Sequence, residues 1–313
     1  MAEERSRKNK KKMKKWVKVT LIILAILVVA LGAYIFSVYH SLSDALHTMH
    51  QPIRETSDKR TEKVALEEKD PFSVLLLGVD ERSGDRGRSD TMIVMAVNPT
   101  KESIEMISIP RDTRTEIVGK GTEDKINHAY AFGGVEMSIN TVENFFDIPI
   151  DYFIQVNMEG FQEIVDAVGG VTVTNDLDFT YGGVHFPEGT LTLNGDEALL
   201  YSRMRKEDPR GDFGRQLRQR SIIEAVIKEG ASLNTLTNYG DIFTALGNNV
   251  KTNLTFSEMI DIQKNYKQAA KDMEQHQING HGSTINGIYY YIVPDEEKAK
   301  LQQLLKEQLE ITE

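Results

Sequence analysis

The chain has 313 residues, enough for one large domain or two smaller ones with an ample hydrophobic core. It contains no cysteine, which excludes disulfide bonds and thiolate chemistry. Its seven histidines show no H-E-x-x-H or similar spacing, which argues against a zinc site.

The charge is divided along the sequence. Residues 1–18 hold nine lysines and arginines and two acidic residues, a local charge of +7. The remainder holds 28 basic and 45 acidic residues, a net charge of −17. An acidic body argues against general binding of nucleic-acid phosphates, so we expect no nucleic-acid partner. We interpret residues 1–18 as a basic cytoplasmic tail.

An uncharged run of 21 residues, Val19–Tyr39, follows the tail. As a helix it would be about 32 Å long, enough for a bilayer core of about 30 Å. A buried helix of a soluble protein is the alternative. The run is longer than the apolar core of a cleaved signal peptide, and no A-x-A-like site follows it. With the basic tail inside, we predict a single-pass type II anchor in the cell membrane and an extracellular body.

The body begins with a polar segment, residues 40–70, which contains Pro52 and is predicted to be an extracellular stalk. The folded domain is predicted to span residues 71–313. Its first element, Phe72–Val79, is a continuous apolar run that predicts a strand buried on both faces. Further strands are predicted at 91–97, 103–109, 152–156, 171–174 and 288–293, and helices at 158–168, 194–201, 211–229, 295–309 and from 255 onward.

An apolar stripe precedes the strand at 152–156. Val135, Ile139, Val142 and Phe146 follow i, i+4, i+7, i+11 spacing, which predicts a helix packed on a sheet. The alternation of strands and helices predicts an α/β domain whose sheet is covered on both sides.

Two carboxylates flank a loop rich in glycine and arginine. Asp80 ends a buried strand and Asp90 begins the next. Ligand crevices of open α/β sheets lie beyond the carboxyl ends of the strands, and carboxylate oxygens there suit Mg²⁺. The alternative is a solvated loop in which the aspartates cap turns.

Arginines lie at the same predicted edge. Arg88 precedes Asp90, and Arg111 follows Pro110 at the end of a strand. A guanidinium so placed can bind two phosphate oxygens at once, which a lysine does less well. The alternative is a structural pair between Arg111 and Asp112, and both roles are compatible.

A second group of arginines follows the helix at 194–201. Arg203 and Arg205 share a face only on an extended segment, so we predict that this helix ends near Tyr201. In the next helix Arg215 and Gln219 are i, i+4 neighbours. Arg218 is adjacent, and Asp212 is placed to cap the helix. The alternative is a solvated basic face.

Lys125 can add a phosphate contact, whereas His128 is interpreted as a structural histidine. The sequence has no G-x-x-x-x-G-K-[ST], no G-x-G-x-x-G after a strand and no G-x-S-x-G. Nucleotide hydrolysis and serine-hydrolase chemistry are therefore disfavoured.

Several motifs occur in the order LLLGVD, RSDT, SIPRDT, KINHAY, DYFIQVNMEGFQEIVDAVGGV, FPEG, YSRMR and RGDFGRQLRQR. Over about residues 71–227 this order resembles the LytR-CpsA-Psr (LCP) family of Gram-positive bacteria, and the short tail and single anchor fit as well. The resemblance implies a three-layer α/β/α sandwich with a central mixed sheet. The lysine-rich insertions of some members are absent, which makes this a compact version.

The resemblance also implies a phosphotransferase that attaches an anionic glycopolymer, wall teichoic acid, from a polyprenyl-pyrophosphate-linked precursor to a peptidoglycan hydroxyl. Mg²⁺ or Mn²⁺ is the implied cofactor, and Asp80 and Asp90 match the metal carboxylates. Arg88, Asp90 and Arg111 are the candidate catalytic residues. The residues that match the pyrophosphate-binding set are Arg88, Arg111, Lys125, Arg203, Arg205, Arg215 and Gln219.

Three other functions compete with this one. A pyrophosphatase would use the same residues with water as the acceptor. A transcriptional regulator would need a cytoplasmic reader domain, which residues 1–18 are too short to form. A non-catalytic protein that binds lipid or cell wall would tolerate the loss of Asp90 or Arg111.

Overall fold

The computed structural model describes residues 48–54, 56–80, 87–232, 247 and 249–311, together with some helical positions between residues 19 and 40. The chain divides into two compact units, Met1–Asp44 and Ala45–Glu313. Among the described residues, no helix is long and apolar enough to cross a bilayer. Much of the predicted anchor, Val19–Tyr39, lies outside the described residues, so the anchor stays a prediction.

The second unit is built from strands that alternate with helices. The strands are β1 (Phe72–Val79), β2 (Ser89–Asn98), β3 (Ser103–Ser108), β4 (Arg114–Ile117), β5 (Thr122–Lys125), β6 (Tyr152–Val156), β7 (Val171–Asn175), β8 (Phe179–Tyr181), β9 (Val184–Phe186), β10 (Gly189–Leu193), β11 (Val250–Thr252), β12 (Asp272–Gln277), β13 (His281–Ile285) and β14 (Ile288–Ile292). The helices are α1 (His128–Phe146), α2 (Met158–Ala167), α3 (Gly195–Arg203), α4 (Asp212–Ser232), α5 (Phe256–Asn265) and α6 (Asp295–Gln308).

Six strands form a central sheet in the order β11-β6-β1-β2-β3-β12. Strand β2 runs antiparallel to both β1 and β3, whereas β1 pairs with β6, and β3 with β12, in parallel. The sheet is therefore mixed, as the family resemblance implied. Short two-stranded ribbons surround it: β4-β5, β7-β10, β8-β9 and β13-β14.

Hydrophobic cores lie on both faces of the central sheet. Successive side chains of β1 alternate between them, because side chains of a strand point to opposite faces. Leu75 and Leu77 belong to the core formed with α1 and α6. Phe72 and Val74 belong to the other core, against which Ile223 of α4 and residues of α5 pack. Helices thus cover both faces, which confirms the expected α/β architecture.

Helix α1 carries the predicted apolar stripe. Val135, Ile139, Val142 and Phe146 are all buried in the core. The helix is broken near its start, because Gly134 adopts a φ of +65°, a conformation that favours glycine. The break separates the segment around His128 from the helical stripe.

Most predicted elements have bounds within three residues of the observed ones, and those of β1 and β6 agree at both ends. The third helix, α3, ends at Arg203, two residues beyond the predicted end near Tyr201. Arg218 donates hydrogen bonds to the carbonyl oxygens of Tyr201 and Met204, at 3.1 and 2.5 Å. These bonds satisfy carbonyl groups at the helix end, and the backbone becomes extended only at Met204.

The described residues of 48–54 and 56–70, within the segment predicted as a stalk, pack on the sheet. Met49, Val64 and Leu66 are buried. Arg60 forms a two-point ion pair with Asp151, with nitrogen–oxygen distances of 2.5 and 2.9 Å. The segment thereby contributes to the compact unit that begins at Ala45.

Candidate active site

The site lies at one edge of the central sheet. Because β2 runs antiparallel to β1 and β3, its start lies at the same edge as their ends. The register pairs Gly78 with Thr91 and Val79 with Ser89, so Asp90 is the extra residue of a β-bulge. Asp80 directly follows Val79. The segments carrying Asp80 and Asp90 therefore lie side by side at this edge.

Arg111 joins the end of β3 to the start of β2. Its Nη1 donates to Oδ1 of Asp90 at 2.8 Å, and its Nε lies 3.9 Å from Oδ2 of Asp112. Burial by itself would lower the pKa of Arg111, but the nearby carboxylates, with Asp90 foremost, raise it. The guanidinium is half-buried, fixed in place and permanently charged.

The β4-β5 ribbon brings Lys125 beside this pair. Lys125 Nζ donates to Oδ1 of Asp112 at 2.7 Å. The backbone N–H of Ile126 donates to the carbonyl of Thr113 at 2.8 Å, and that of Asn127 to the carbonyl of Arg111 at 3.3 Å. These bonds run the KIN segment alongside the RDT segment, which places Lys125 at the same edge.

The start of α4 supplies the third part of the site. Arg215 Nη2 lies 2.7 Å from Oδ1 of Asp212, and Arg205 Nε lies 3.7 Å from the same oxygen. Burial lowers the pKa of Arg215, and the positive charges of Arg111 and Arg205 add to that effect. Arg205 and Arg215 thus face the same carboxylate oxygen, and Arg111 is close enough for its charge to act on Arg215.

The site has an excess of positive charge. Four cations (Arg111, Lys125, Arg205 and Arg215) contact three carboxylates (Asp90, Asp112 and Asp212). In a half-buried position this excess favours an anion that accepts several hydrogen bonds, such as a phosphate. The same carboxylates can accept a proton.

The remaining predicted residues lie around this cluster. Arg88 is exposed and precedes the Asp90 bulge by two positions. Gln219 lies one turn beyond Arg215 on α4, and Arg203 is exposed in the last turn of α3. Within the part of the chain that the structure describes, neither Arg88 nor Arg203 forms an ion pair. The prediction that Arg203 and Arg205 converge from one extended segment is wrong, because only Arg205 lies beyond the helix.

Comparison with known proteins identifies the family of this chain. The family model described as LytR_cpsA_psr matches residues 36–307. The chain belongs to the LytR-CpsA-Psr family. It is 54% identical over 304 residues to a protein from Bacillus cereus (strain AH820) named polyisoprenyl-teichoic acid–peptidoglycan teichoic acid transferase TagU, covering 97% of this chain and 99% of that one.

Solved structures of LCP proteins have the same fold. The crystal structure of Bacillus subtilis TagU is 51% identical, with a TM-score of 0.65 over 78% of this chain and 99% of that chain. The family protein YwtF (TagT) with bound octaprenyl pyrophosphate lipid is 32% identical, with a TM-score of 0.68 over 82% of this chain and 98% of that chain.

Asp80 and Asp90 are the predicted metal ligands. Asp80 and Asp90 follow and begin adjacent strands, and hard oxygen ligands of this kind suit Mg²⁺ when water completes its coordination. Elsewhere in the described chain, the three side chains of Glu105, Glu274 and His276 lie within 4.8 Å of one another at the β3-β12 edge. That group is separate from Asp80 and Asp90.

Sequence reasoning missed the network that supports the arginine segment. In the sequence Arg218 lies beside the predicted site residue Gln219, but its side chain is 2% exposed and it donates to Oδ2 of Asp208 at 2.6 Å. Arg210 also donates to Asp208, at 3.0 Å. These bonds, with those from Arg218 to Tyr201 and Met204, hold the chain between α3 and α4, which carries Arg205. The run of arginines in RGDFGRQLRQR, which follows Asp208 closely, was the signal available in the sequence.

His128 has the structural role that the sequence favoured. Its Nδ1 lies 2.7 Å from Oδ2 of Asp124, and its ring contacts Phe132 edge to face. The hydrogen bond from His128 lowers the pKa of Asp124 against the opposing effect of burial.

Proposed function

We propose that this chain transfers wall teichoic acid from a polyprenyl-pyrophosphate-linked precursor to peptidoglycan. The observation that carries the proposal is the convergence of Arg111, Arg205 and Arg215 with Asp90 at one sheet edge. Support comes from the relatives named teichoic acid transferases and from the family structure with a bound prenyl pyrophosphate.

The reaction needs charge neutralisation and alignment more than covalent chemistry. A hydroxyl of peptidoglycan attacks the phosphorus that carries the glycan. A bond forms between that oxygen and phosphorus, the bridging P–O bond breaks, and polyprenyl phosphate leaves. Arg111, Arg205 and Arg215 stabilise the charge that develops on the phosphate oxygens, with Lys125 as a further donor.

The proton of the attacking hydroxyl passes to a carboxylate, Asp90 or Asp112. Asp90 uses Oδ1 to accept from Arg111, and Asp112 uses Oδ1 to accept from Lys125. Each carboxylate has a second oxygen in the site. The variants D90N and D112N remove the two candidates one at a time, and the base is the residue whose asparagine variant loses the larger part of kcat for transfer.

Mg²⁺ or Mn²⁺ held by Asp80 and Asp90 would add positive charge beside the pyrophosphate. We expect Mg²⁺ to raise the melting temperature of the wild type and not that of the D80N/D90N double variant. Equal shifts in both proteins would contradict this assignment, and the measurement does not depend on activity.

We place the protein in the cell membrane as a single-pass type II protein, with its catalytic domain outside. The uncharged run Val19–Tyr39 and the basic tail support this topology. Protease added to intact cells should digest an epitope at the C-terminus and spare one at the N-terminus. Protection of the C-terminal epitope would contradict it.

The test of function is a transfer assay with the full-length protein, a synthetic prenyl-pyrophosphate glycan, Mg²⁺ and peptidoglycan oligomers, followed by mass spectrometry. We expect a glycan phosphate joined to peptidoglycan and release of prenyl phosphate. R111A should abolish transfer. The matched control is R114A, because Arg114 has similar exposure but pairs with Glu123 on the ribbon.

Other products would identify the alternatives. Free phosphoglycan formed without regard to acceptor would establish a pyrophosphatase. Full transfer by R111A would contradict the proposed role of the cluster. Tight lipid binding with no turnover in wild type would identify a non-catalytic carrier.

A further inference from the structure

Helix α4 holds two buried arginines that differ in their partners. The side chain of Arg218 binds Asp208 and two carbonyl groups, as described above. Arg220 is 2% exposed, and its Nε donates to Oε1 of Gln275 on β12 at 3.1 Å. Its Nη1 is buried and has no hydrogen-bond partner, and no carboxylate pairs with it in the described chain. Burial lowers the pKa of Arg220 to about 10, so it stays charged at neutral pH.

Arg220 lies at a boundary between polar and apolar surroundings. Five residues before it, Arg215 belongs to the phosphate site, at a distance of about 7.5 Å along the helix axis. On the same side of the helix, Ile223 one turn after it and Ile227 two turns after it pack against the apolar core on that face of the sheet. One turn before it, Gln216 is 6% exposed and its Oε1 also lacks a partner. A cation at such a boundary suits a ligand with an anionic head and an apolar chain.

Stability does not explain this arrangement. A buried charge without a counter-ion costs free energy that a single hydrogen bond to an amide does not offset. Arg218 shows that the same helix can bury an arginine with a full set of partners. Arg220, which has no counter-ion in the described chain, is therefore a candidate for reversible binding of an anionic ligand.

We propose that Arg220 binds the phosphate of a prenyl monophosphate, the leaving group of the reaction, at a position deeper than the pyrophosphate site. The proposal rests on the proposed function. When the bridging P–O bond breaks, the electron pair stays on the lipid phosphate, which gains a negative charge. Movement of that phosphate by about 7.5 Å along α4 would neutralise Arg220 and clear the site for the next precursor. Arg220 would thus be a positioning residue for product.

The test is direct binding to the full-length protein in detergent, with farnesyl phosphate, farnesyl pyrophosphate and inorganic phosphate as probes in calorimetry. R220M should weaken farnesyl phosphate binding about tenfold or more, the effect of one charge-assisted hydrogen bond, and farnesyl pyrophosphate less than threefold. Because Arg220 has no counter-ion, R220M should change the melting temperature much less than R218M, the matched control.

Several results would overturn the proposal. They are equal farnesyl phosphate binding by wild type and R220M, no binding by wild type, or an R220M melting temperature that falls as far as that of R218M. Inorganic phosphate bound as tightly as farnesyl phosphate would show an anion site without lipid selectivity and would also overturn it. The calorimetry contains no peptidoglycan acceptor, so it is independent of the transfer assay. If the wild type fails in the transfer assay but binds farnesyl phosphate through Arg220, the proposed function is refuted and this inference is supported.

Discussion

At the scale of single residues, the site depends on which arginines are paired and with what. Arg111 and Arg215 each form an ion pair with a carboxylate, which fixes their positions. With Lys125 and Arg205, the cations of the cluster outnumber its carboxylates. Arg218 is paired completely and serves the fold. Identical side chains on one motif therefore have different roles, and only their partners distinguish them.

Replacing Arg111 by lysine tests the importance of the planar guanidinium. A lysine keeps the charge and can still pair with Asp90, but it cannot bind two phosphate oxygens in parallel. We expect R111K to lower kcat/KM for transfer by about tenfold to a hundredfold and to leave the melting temperature nearly unchanged. Wild-type kcat/KM in R111K would show that charge alone suffices.

Asp208 should give the protein a measurable acid sensitivity. Burial would raise its pKa, but hydrogen bonds from Arg210 and Arg218 outweigh burial and lower the pKa to about 2. The unfolded value is about 3.9, so the stabilisation is complete above that pH and is lost as the pH falls toward 2. The difference in unfolding free energy between wild type and D208N should shrink by about 2 kcal/mol between pH 4 and pH 2, measured by urea denaturation. A constant difference would contradict the assignment.

At the scale of elements, the site depends on a close contact between the first turn of α4 and the carboxylate of Asp208. A Cβ added to Gly214 would lie 1.9 Å from Oδ2 of Asp208, so only glycine lets this carboxylate approach the helix. The approach allows Asp208 to pair with Arg218 and Arg210, which fixes the preceding segment. The glycine of the FGRQ motif is thus required by packing and not by backbone conformation.

Two glycines of α4 should respond to alanine with opposite signs. Alanine in a helix normally stabilises relative to glycine by about 0.5–1 kcal/mol. G230A should follow this rule, because nothing lies within 4 Å of the added Cβ. G214A should instead destabilise by about 2 kcal/mol or more, because it displaces Asp208 from buried Arg218. Thermal and urea denaturation of both variants give the sign of each change in unfolding free energy. A G214A variant at least as stable as the wild type would contradict the packing argument.

At the scale of the whole molecule, the segment before β1 contributes to the folded unit. Val64 and Leu66 are buried in the core on one face of the sheet, and Arg60 pairs with Asp151, whose side chain is 5% exposed. Removal of this segment would expose apolar residues of the sheet and leave a buried carboxylate without its cation.

Two truncations measure this contribution. A chain of residues 45–313 should unfold cooperatively, because it matches one compact unit. A chain of residues 71–313 should be less stable by about 3–5 kcal/mol, mainly because Asp151 loses Arg60. Equal stability of the two fragments, measured by urea denaturation, would show that residues 45–70 act only as a spacer.

The sequence by itself determined the α/β class, the bounds of the long strands and helices, and the family, because these follow from local periodicity and from motifs in a fixed order. It also identified the segments that carry the site. Only the tertiary structure decided which arginines have partners, where α3 ends, and that residues before β1 pack on the sheet. Short elements such as β4, β5 and β12 were also missed. The reason is physical: the pairing of Arg218 with Asp208, the burial of Arg220 and the strands of short ribbons depend on contacts between distant segments, and local hydrophobic patterns do not encode them.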